Sequence, residues 1–405
     1  MKIFKMKIFK KILVGIVVII LILAAGYVYY FQFEKKSIKI GGIFDLTGAT
    51  SDVGIDGSLG VKDAVHWIND NGGINNRKIE LISNDYAYDI PKAKALYAKY
   101  TKELKIELIQ GWGTADTEAL MASANRDGVV YMSASYVAAI TDPLHTPYNF
   151  FVGTDYSTSL RLAIKYIKEK HLDPSRPPKI VFIYPDHPYG HAPIPAGKKM
   201  AEELGVKYGQ DQNVGLGAKE AIDQLRVVKE YNPDWVWLGG TVNSCAVVIR
   251  DAGKIGLDTK FILNTWGFDE TLLAKAGPYA NGRTYGVAPA ALWGDSVPGM
   301  DDIMEAHKKY ASAKTHTINY VKGWLSMMVM AEAIKRVKGS VSGYSVREAL
   351  ETVKDFNTGG LSAPISFSAT DHRPNMQVKI YKIEGDKYQF VTEVKMERDT
   401  RFIGW

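Results

Sequence analysis

Ser37-Ile-Lys-Ile-Gly-Gly-Ile-Phe44, followed by Asp45-Leu-Thr-Gly-Ala-Thr-Ser51, decides the fold. The first segment is a short, mostly apolar run that reads as a buried strand. The second is a polar, flexible loop. A helix is predicted over residues 57–71, where Leu59, Val61, Val65 and Ile68 recur at helical spacing and Gly72-Gly73 ends the pattern. Residues 78–83 read as the next strand. Strand, helix, strand in this order is the unit of a parallel sheet covered by helices.

The unit repeats outward from there. Strand patterns at 106–110 and 129–133 alternate with helix patterns at 91–104 and 115–126, with Pro91 in a first helical turn. Pro143 and Pro147 mark a break. A second series follows, with helices expected at 159–169, 196–204, 219–231, 244–253 and 270–277. Its strands are expected at 179–184, 206–212, 235–239 and 260–264. Helices resume at 301–313, 319–338 and 345–354, and segments 365–367, 377–383 and 388–394 read as closing strands.

About 370 residues follow position 36, above the roughly 250–300 at which one core usually divides. The expected class is therefore α/β: two doubly wound parallel-sheet lobes joined by a hinge and preceded by an N-terminal hydrophobic helix. The chain is expected to cross between lobes near Asp155, Ala288 and Arg373. That gives 1–36 as leader, 37–155 with 289–372 as the first lobe, and 156–288 with 373–405 as the second.

Lys2, Lys5, Lys7, Lys10 and Lys11 precede a largely apolar stretch from Ile12 to Phe33. Its length, about 22 residues, compares with the roughly 20 that span a bilayer. A basic start before an apolar stretch is a signal peptide or a membrane anchor. Ala24-Ala25-Gly26 offers small residues for cleavage, and Gly26 stands where a lipoprotein signal needs its cysteine. Cleavage and retention both stay open.

Residues 1–36 hold seven lysines and one glutamate, so they carry the whole formal charge of +6. The positive-inside rule keeps these lysines cytoplasmic and sends the rest out. The remaining chain sums to about zero and offers no electrostatic footprint for nucleic acid. Cys245 is the only cysteine, so no intramolecular disulfide forms.

In open α/β sheets, ligands sit beyond the carboxyl ends of the strands. The first series places there the loop ending at Ser51, then Asp85-Tyr86, Gly111-Trp-Gly-Thr-Ala-Asp-Thr117 and Ser133-Ala-Ser-Tyr136. The second places there Asp186-His-Pro-Tyr189, Gly239-Gly-Thr241 and Asn264-Thr-Trp266. Hydroxyls, amides beside glycine and aromatic walls suit a small neutral or carboxylate-bearing molecule. Thr114, at a helix start, is the leading candidate: its hydroxyl and the free amides after it suit a carboxylate. As an N-cap it would do no more than satisfy its own helix. Ser51, Ser135 and Thr241 are further polar candidates, with Trp112, Tyr136, Tyr189 and Trp266 as walls. Asp116 in the same first turn would repel an anion if it pointed inward.

Enzymatic readings are weaker. Gly111-Trp-Gly113 lacks the third glycine of a dinucleotide fingerprint, no lysine follows as in a phosphate loop, and no Gly-x-Ser-x-Gly elbow is present. Asp186, His187 and His191 lie among Pro188 and Pro193, which read as a turn rather than a metal-binding helix face. Cys245, near a helix start, reads as a buried structural thiol. No catalytic residue, cofactor or metal is expected.

The chain resembles the leucine/isoleucine/valine-binding family, the substrate-binding proteins of branched-chain amino-acid ABC transporters. The resemblance covers everything after the leader. It is carried by Ile38-Lys-Ile-Gly-Gly-Ile-Phe-Asp-Leu-Thr-Gly48, Ile68-Asn-Asp-Asn-Gly-Gly-Ile74 with Arg77-Lys-Ile-Glu-Leu81, Asn84-Asp-Tyr-Ala-Tyr-Asp89, Tyr131-Met-Ser-Ala-Ser135 and Tyr189-Gly190. It implies a periplasmic-binding-protein type I fold, an extracytoplasmic place, and an ABC permease with its ATPase as partners. It places the carboxylate-binding hydroxyl at Thr114, a second cluster at Ser135 and Val137, an aromatic at Tyr189 and a further contact at Thr241. Val137 lacks the expected hydroxyl. The acid that meets a ligand ammonium is missing near Thr265, and Asp269 is the nearest in sequence. The expected ligand is an amino acid or a related small carboxylate or amide; without that acid, a carboxylate lacking an amine, or a neutral amide, would suit the site. The alternative reading is a ligand sensor that signals through a partner protein.

Overall fold

The computed structural model describes residues 15–24, 37–310 and 315–405. Two sheets organise the described chain. The first contains β1 (Ile38–Phe44), β2 (Ile79–Asp85), β3 (Leu108–Gln110), β4 (Val130–Met132) and β5 (Asn149–Phe150), in the order β2-β1-β3-β4-β5. All its pairings are parallel, and Ile38 opposite Ile79 through Phe44 opposite Asp85 sets the register. The two glycines in β1 have a packing role. A Cβ on Gly41 would lie 2.6 Å from the Tyr100 ring, whose hydroxyl donates to the Gly42 carbonyl at 3.0 Å.

The second sheet runs β13-β12-β11-β10-β9-β6-β7, with β8 also on β6. Its parallel part comprises β6 (Lys179–Tyr184), β7 (Lys207–Tyr208), β8 (Gln212–Asn213), β9 (Trp235–Leu238), β10 (Lys260–Leu263) and β11 (Thr284–Ala288). β12 (Gln377–Glu384) and β13 (Lys387–Lys395) extend it antiparallel, so this sheet is mixed rather than wholly parallel. Both sheets start with the second strand beside the first and then reverse direction. Each therefore has a switch point, between β1 and β3 and between β6 and β9.

Helices α1 (Ser51–Asp70), α2 (Ile90–Ala98), α3 (Thr114–Asp127), α4 (Tyr156–Glu169), α5 (Pro188–His191), α6 (Ile194–Leu204), α7 (Ile222–Tyr231), α8 (Val242–Lys254), α9 (Leu272–Ala276), α10 (Pro298–Tyr310), α11 (Ile318–Arg336) and α12 (Gly343–Glu351) connect the strands. α11 lies along α1. Small residues allow this close approach: a Cβ on Gly323 would lie 2.0 Å from the Gly57 carbonyl oxygen, and one on Gly60 2.0 Å from that of Tyr320.

Several expectations are corrected. Asp155 caps α4 by accepting from the Thr158 amide at 2.7 Å, so that helix starts at Tyr156 rather than at 159. The strand expected over 206–212 is two short ones, parted around Gly209, where the Tyr231 ring packs. β5 and β11 were not expected at all. The segment at 365–367 is no strand; Ile365 makes an isolated bridge with Phe356. Pro188–His191 is one helical turn rather than an open turn. Of the expected leader, residues 15–24 are helical and exposed; the rest lies outside the described residues. No described helix is long and apolar enough to cross a membrane.

Candidate ligand-binding cleft

The loop after β1 folds around Asp45. Its carboxylate accepts from the Gly48 amide at 2.6 Å, the Thr50 amide at 2.8 Å and the Thr50 hydroxyl at 2.7 Å. Thr50 in turn accepts from the Trp112 indole at 2.9 Å, fixing that ring. The residues on either side of the first switch point are thereby tied together.

Gly113, not Thr114, caps α3. Thr114 is the first helical residue, and its hydroxyl lies 2.7 Å from that of Ser135 beyond β4. A second rung pairs Thr117 with Ser133 at 2.7 Å, and Ser133 accepts from the Ser135 amide at 2.9 Å. The result is a buried ladder of hydroxyls at the N-terminal end of a helix, where the backbone dipole favours negative charge. Asp116 turns to other partners. It accepts from the Tyr86 hydroxyl at 2.7 Å and the Gly113 amide at 3.2 Å. Burial pushes its carboxyl up to about 7, against the pull of these donors.

The opposite wall comes from the second sheet. The Tyr189 hydroxyl donates to the Gly240 carbonyl at 3.0 Å and accepts from the Asn264 amide. The Trp266 indole donates to the Tyr156 hydroxyl at 2.8 Å. Ring centroids of Trp112 and Trp266 lie 5.5 Å apart, those of Tyr136 and Trp266 5.7 Å, and those of Tyr156 and Tyr189 5.5 Å.

Trp112, Thr114, Tyr189, Thr241 and Trp266 thus line one narrow cavity. Ser135 stands behind Thr114. Tyr136 lines a second, smaller cavity, which shares Trp112, Ala134 and Trp266 with the first. Ser51 lines neither; it begins α1, and Thr50 takes the wall position. Sequence reasoning also missed Tyr88, Tyr156 and Lys322. Tyr88 adopts φ of 56° after β2, inside a stretch already noted for its tyrosines. Tyr156 follows the capping Asp155. Lys322 is a lone cation within the apolar pattern of α11.

The two walls meet directly. Asp52 accepts from the Asn243 amide at 3.0 Å, Asp269 from the Asn319 side chain at 3.1 Å, and Glu270 from the Ile318 amide at 2.9 Å. Burial raises all three carboxyls, Glu270 to about 7. The other Asp269 oxygen accepts from the Thr271 amide and hydroxyl, so this acid is committed within the protein. The Thr265 carbonyl accepts from Lys322 at 2.6 Å, and among the described residues the Thr265 hydroxyl has no hydrogen-bond partner. Cys245 is buried, and burial pushes its thiol up, as expected of a structural cysteine. Among the described residues no cluster suits a metal ion.

Residues 37–388 match the family model of periplasmic binding proteins. The chain belongs to that family. A leucine-, isoleucine-, valine-, threonine- and alanine-binding protein of Pseudomonas aeruginosa is 23% identical over 372 residues, covering 92% of this chain and 95% of that protein. Among solved structures, an ABC transporter substrate-binding protein of Aeropyrum pernix is 31% identical with a TM-score of 0.83, covering 91% of this chain and 98% of that one. A branched-chain amino acid ABC transporter protein of Thermus thermophilus with bound valine is 21% identical, with a TM-score of 0.84 and the same two coverages. The resemblance to leucine/isoleucine/valine-binding proteins holds, as does the type I periplasmic-binding fold with parallel sheets.

Proposed function

We propose that this periplasmic binding protein captures an amino acid or a related small carboxylate or amide between two lobes, outside the cytoplasm, and presents it to an ABC permease driven by its ATPase. The observation that carries the reading is the opposition of two switch points, one hydroxyl-rich and one aromatic, across a shared cavity. We assign 37–155 and 289–372 to the first lobe and 156–288 and 373–405 to the second. Thr154, which donates to the Asn375 side chain at 2.7 Å, ties two of the three crossings into one hinge. Thr114, backed by Ser135, holds the ligand oxygen, Trp112 and Tyr136 its body, and Tyr189, Thr241 and Trp266 close over it. A ligand touching both walls biases closure; one touching a single wall cannot. The lysine-rich leader directs export, whether it is cleaved or kept.

The commitment of Asp269 to Thr271 and Asn319, with no acid at Thr265, supports a ligand without an ammonium. A thermal-shift screen of the purified protein against amino acids, short-chain acids, aromatic acids and amides tests this, since a ligand that binds only the folded state raises its melting temperature. Acids or amides are expected to act. A larger rise with leucine than with any simple acid overturns the assignment.

A further inference from the structure

Behind the Trp112–Trp266 pair, the second cavity ends on a buried amine. Lys322 is 3% exposed. Its Nζ donates to the Thr265 carbonyl at 2.6 Å and to the Asn319 side-chain oxygen at 2.9 Å, and stands 3.8 Å over the Trp266 ring. An ammonium has three donors, and these two acceptors leave one for the cavity that Lys322 lines. Among the described residues no carboxylate forms an ion pair with it. Asp269 and Glu270 act on it only at longer range, and burial pushes its pKa down to about 7. The other polar side chains lining this chamber, Gln110, Ser133, Tyr136, Asn319 and Ser326, carry no charge, and Ser326 donates to Gln110 at 2.6 Å.

An ammonium buried without an anion is costly, and an anion brought to it recovers part of that cost. We infer that the ligand supplies this anion: the inner chamber is a second carboxylate subsite, built on Lys322, and the protein favours a short dicarboxylate whose other end meets Thr114 and Ser135. This rests on the cleft reading above and narrows its ligand class. A cation here also disfavours any ligand that carries an ammonium into the chamber.

The test compares succinate, glutarate and adipate with butyrate, valerate and hexanoate by calorimetric titration of the wild-type protein, Lys322→Met and Thr114→Val. A charge-assisted hydrogen bond predicts that the best dicarboxylate binds the wild type about tenfold or more tighter than its monocarboxylate partner. Lys322→Met is expected to erase that preference while still binding the monocarboxylate. An anion binds the protonated amine, so wild-type dicarboxylate affinity should fall as pH rises above about 7, by up to about tenfold per pH unit. In the methionine variant it should stay flat. Asp269 and Glu270 are the titratable groups that act on this amine, and both stay present in that variant. Dicarboxylates binding no better than monocarboxylates, or failing to bind, overturn the inference. That comparison needs only the wild-type protein, so it stands even if a variant fails to fold. A dicarboxylate preference that survives Lys322→Met overturns it too. If Thr114→Val abolishes binding while Lys322→Met changes nothing, the cleft reading stands and the inner subsite falls. If neither substitution matters, both fall.

Discussion

The strand ends of the two sheets carry opposite chemistry. On the first, Thr114, Thr117, Ser133 and Ser135 form a hydroxyl ladder, of which Thr114 faces the first cavity and Ser133 the second. On the second, Tyr189 and Trp266 have their polar atoms engaged by Gly240, Asn264 and Tyr156, leaving ring faces toward the cavity. In the proposed function, one wall binds and the other covers. A hydroxyl ladder can exchange an internal partner for a ligand at little cost, whereas an aromatic wall gains only when apolar surface meets it.

The largest expected effect is on the covering wall. Tyr189→Ala removes a buried ring and leaves the Gly240 carbonyl and Asn264 side chain without their partner. It should lower stability by about 3–5 kcal/mol and weaken ligand affinity, as read by denaturant unfolding and calorimetry. Unchanged affinity would remove Tyr189 from the site. Next comes Thr114→Val on the binding wall. Loss of one hydrogen bond to a charged group predicts about 10- to 100-fold weaker carboxylate binding, with a smaller change in melting temperature than Tyr189→Ala.

A subtler test uses pH. Asp116 and Glu270 are both pushed up to about 7 by burial, so the folded state holds their protons more tightly than the unfolded chain does. Their contribution is present at low pH and is lost as pH rises from the ordinary carboxylate range through about 7. Lys322 is pushed down to about 7, so the folded state gains stability as pH rises from there toward the ordinary lysine range. The unliganded protein should therefore show a shallow dip in melting temperature near pH 7. Asp116→Asn should flatten its acid side and Lys322→Met its alkaline side; a monotonic profile contradicts this charge arrangement. The smallest contrast is between neighbours. Ser51→Ala should change stability by less than about 0.5 kcal/mol and leave affinity alone. Thr50→Val, which breaks the link from Asp45 to Trp112, should weaken binding measurably in the same titration.

The sequence carried the architecture well where apolar runs were bounded by turn residues, as at β1 and β9. It failed where a strand was short or a glycine interrupted the pattern. β11 passes through Gly286, where a Cβ would lie 2.2 Å from the Phe268 ring, so its side-chain alternation is broken by a packing demand from elsewhere. β5 is two residues long, set beside two prolines. At the site, the strand-end rule located Thr114, Thr241, Tyr189 and Trp266, because each follows its strand directly. It was blind to Lys322, which reaches the cleft from a helix more than fifty residues downstream of Trp266 in the chain. It also chose Ser51 over Thr50, since which of two adjacent hydroxyls faces inward depends on how Asp45 folds the loop.

The most direct measurement is a crystal structure of the protein with the tightest binder from the acid, amide and amino-acid panel. The account predicts a ligand oxygen within hydrogen-bond distance of the Thr114 hydroxyl, with the ligand body held against Tyr189 and Trp266. A ligand bound outside this cavity, or touching only one of the two walls, would contradict it.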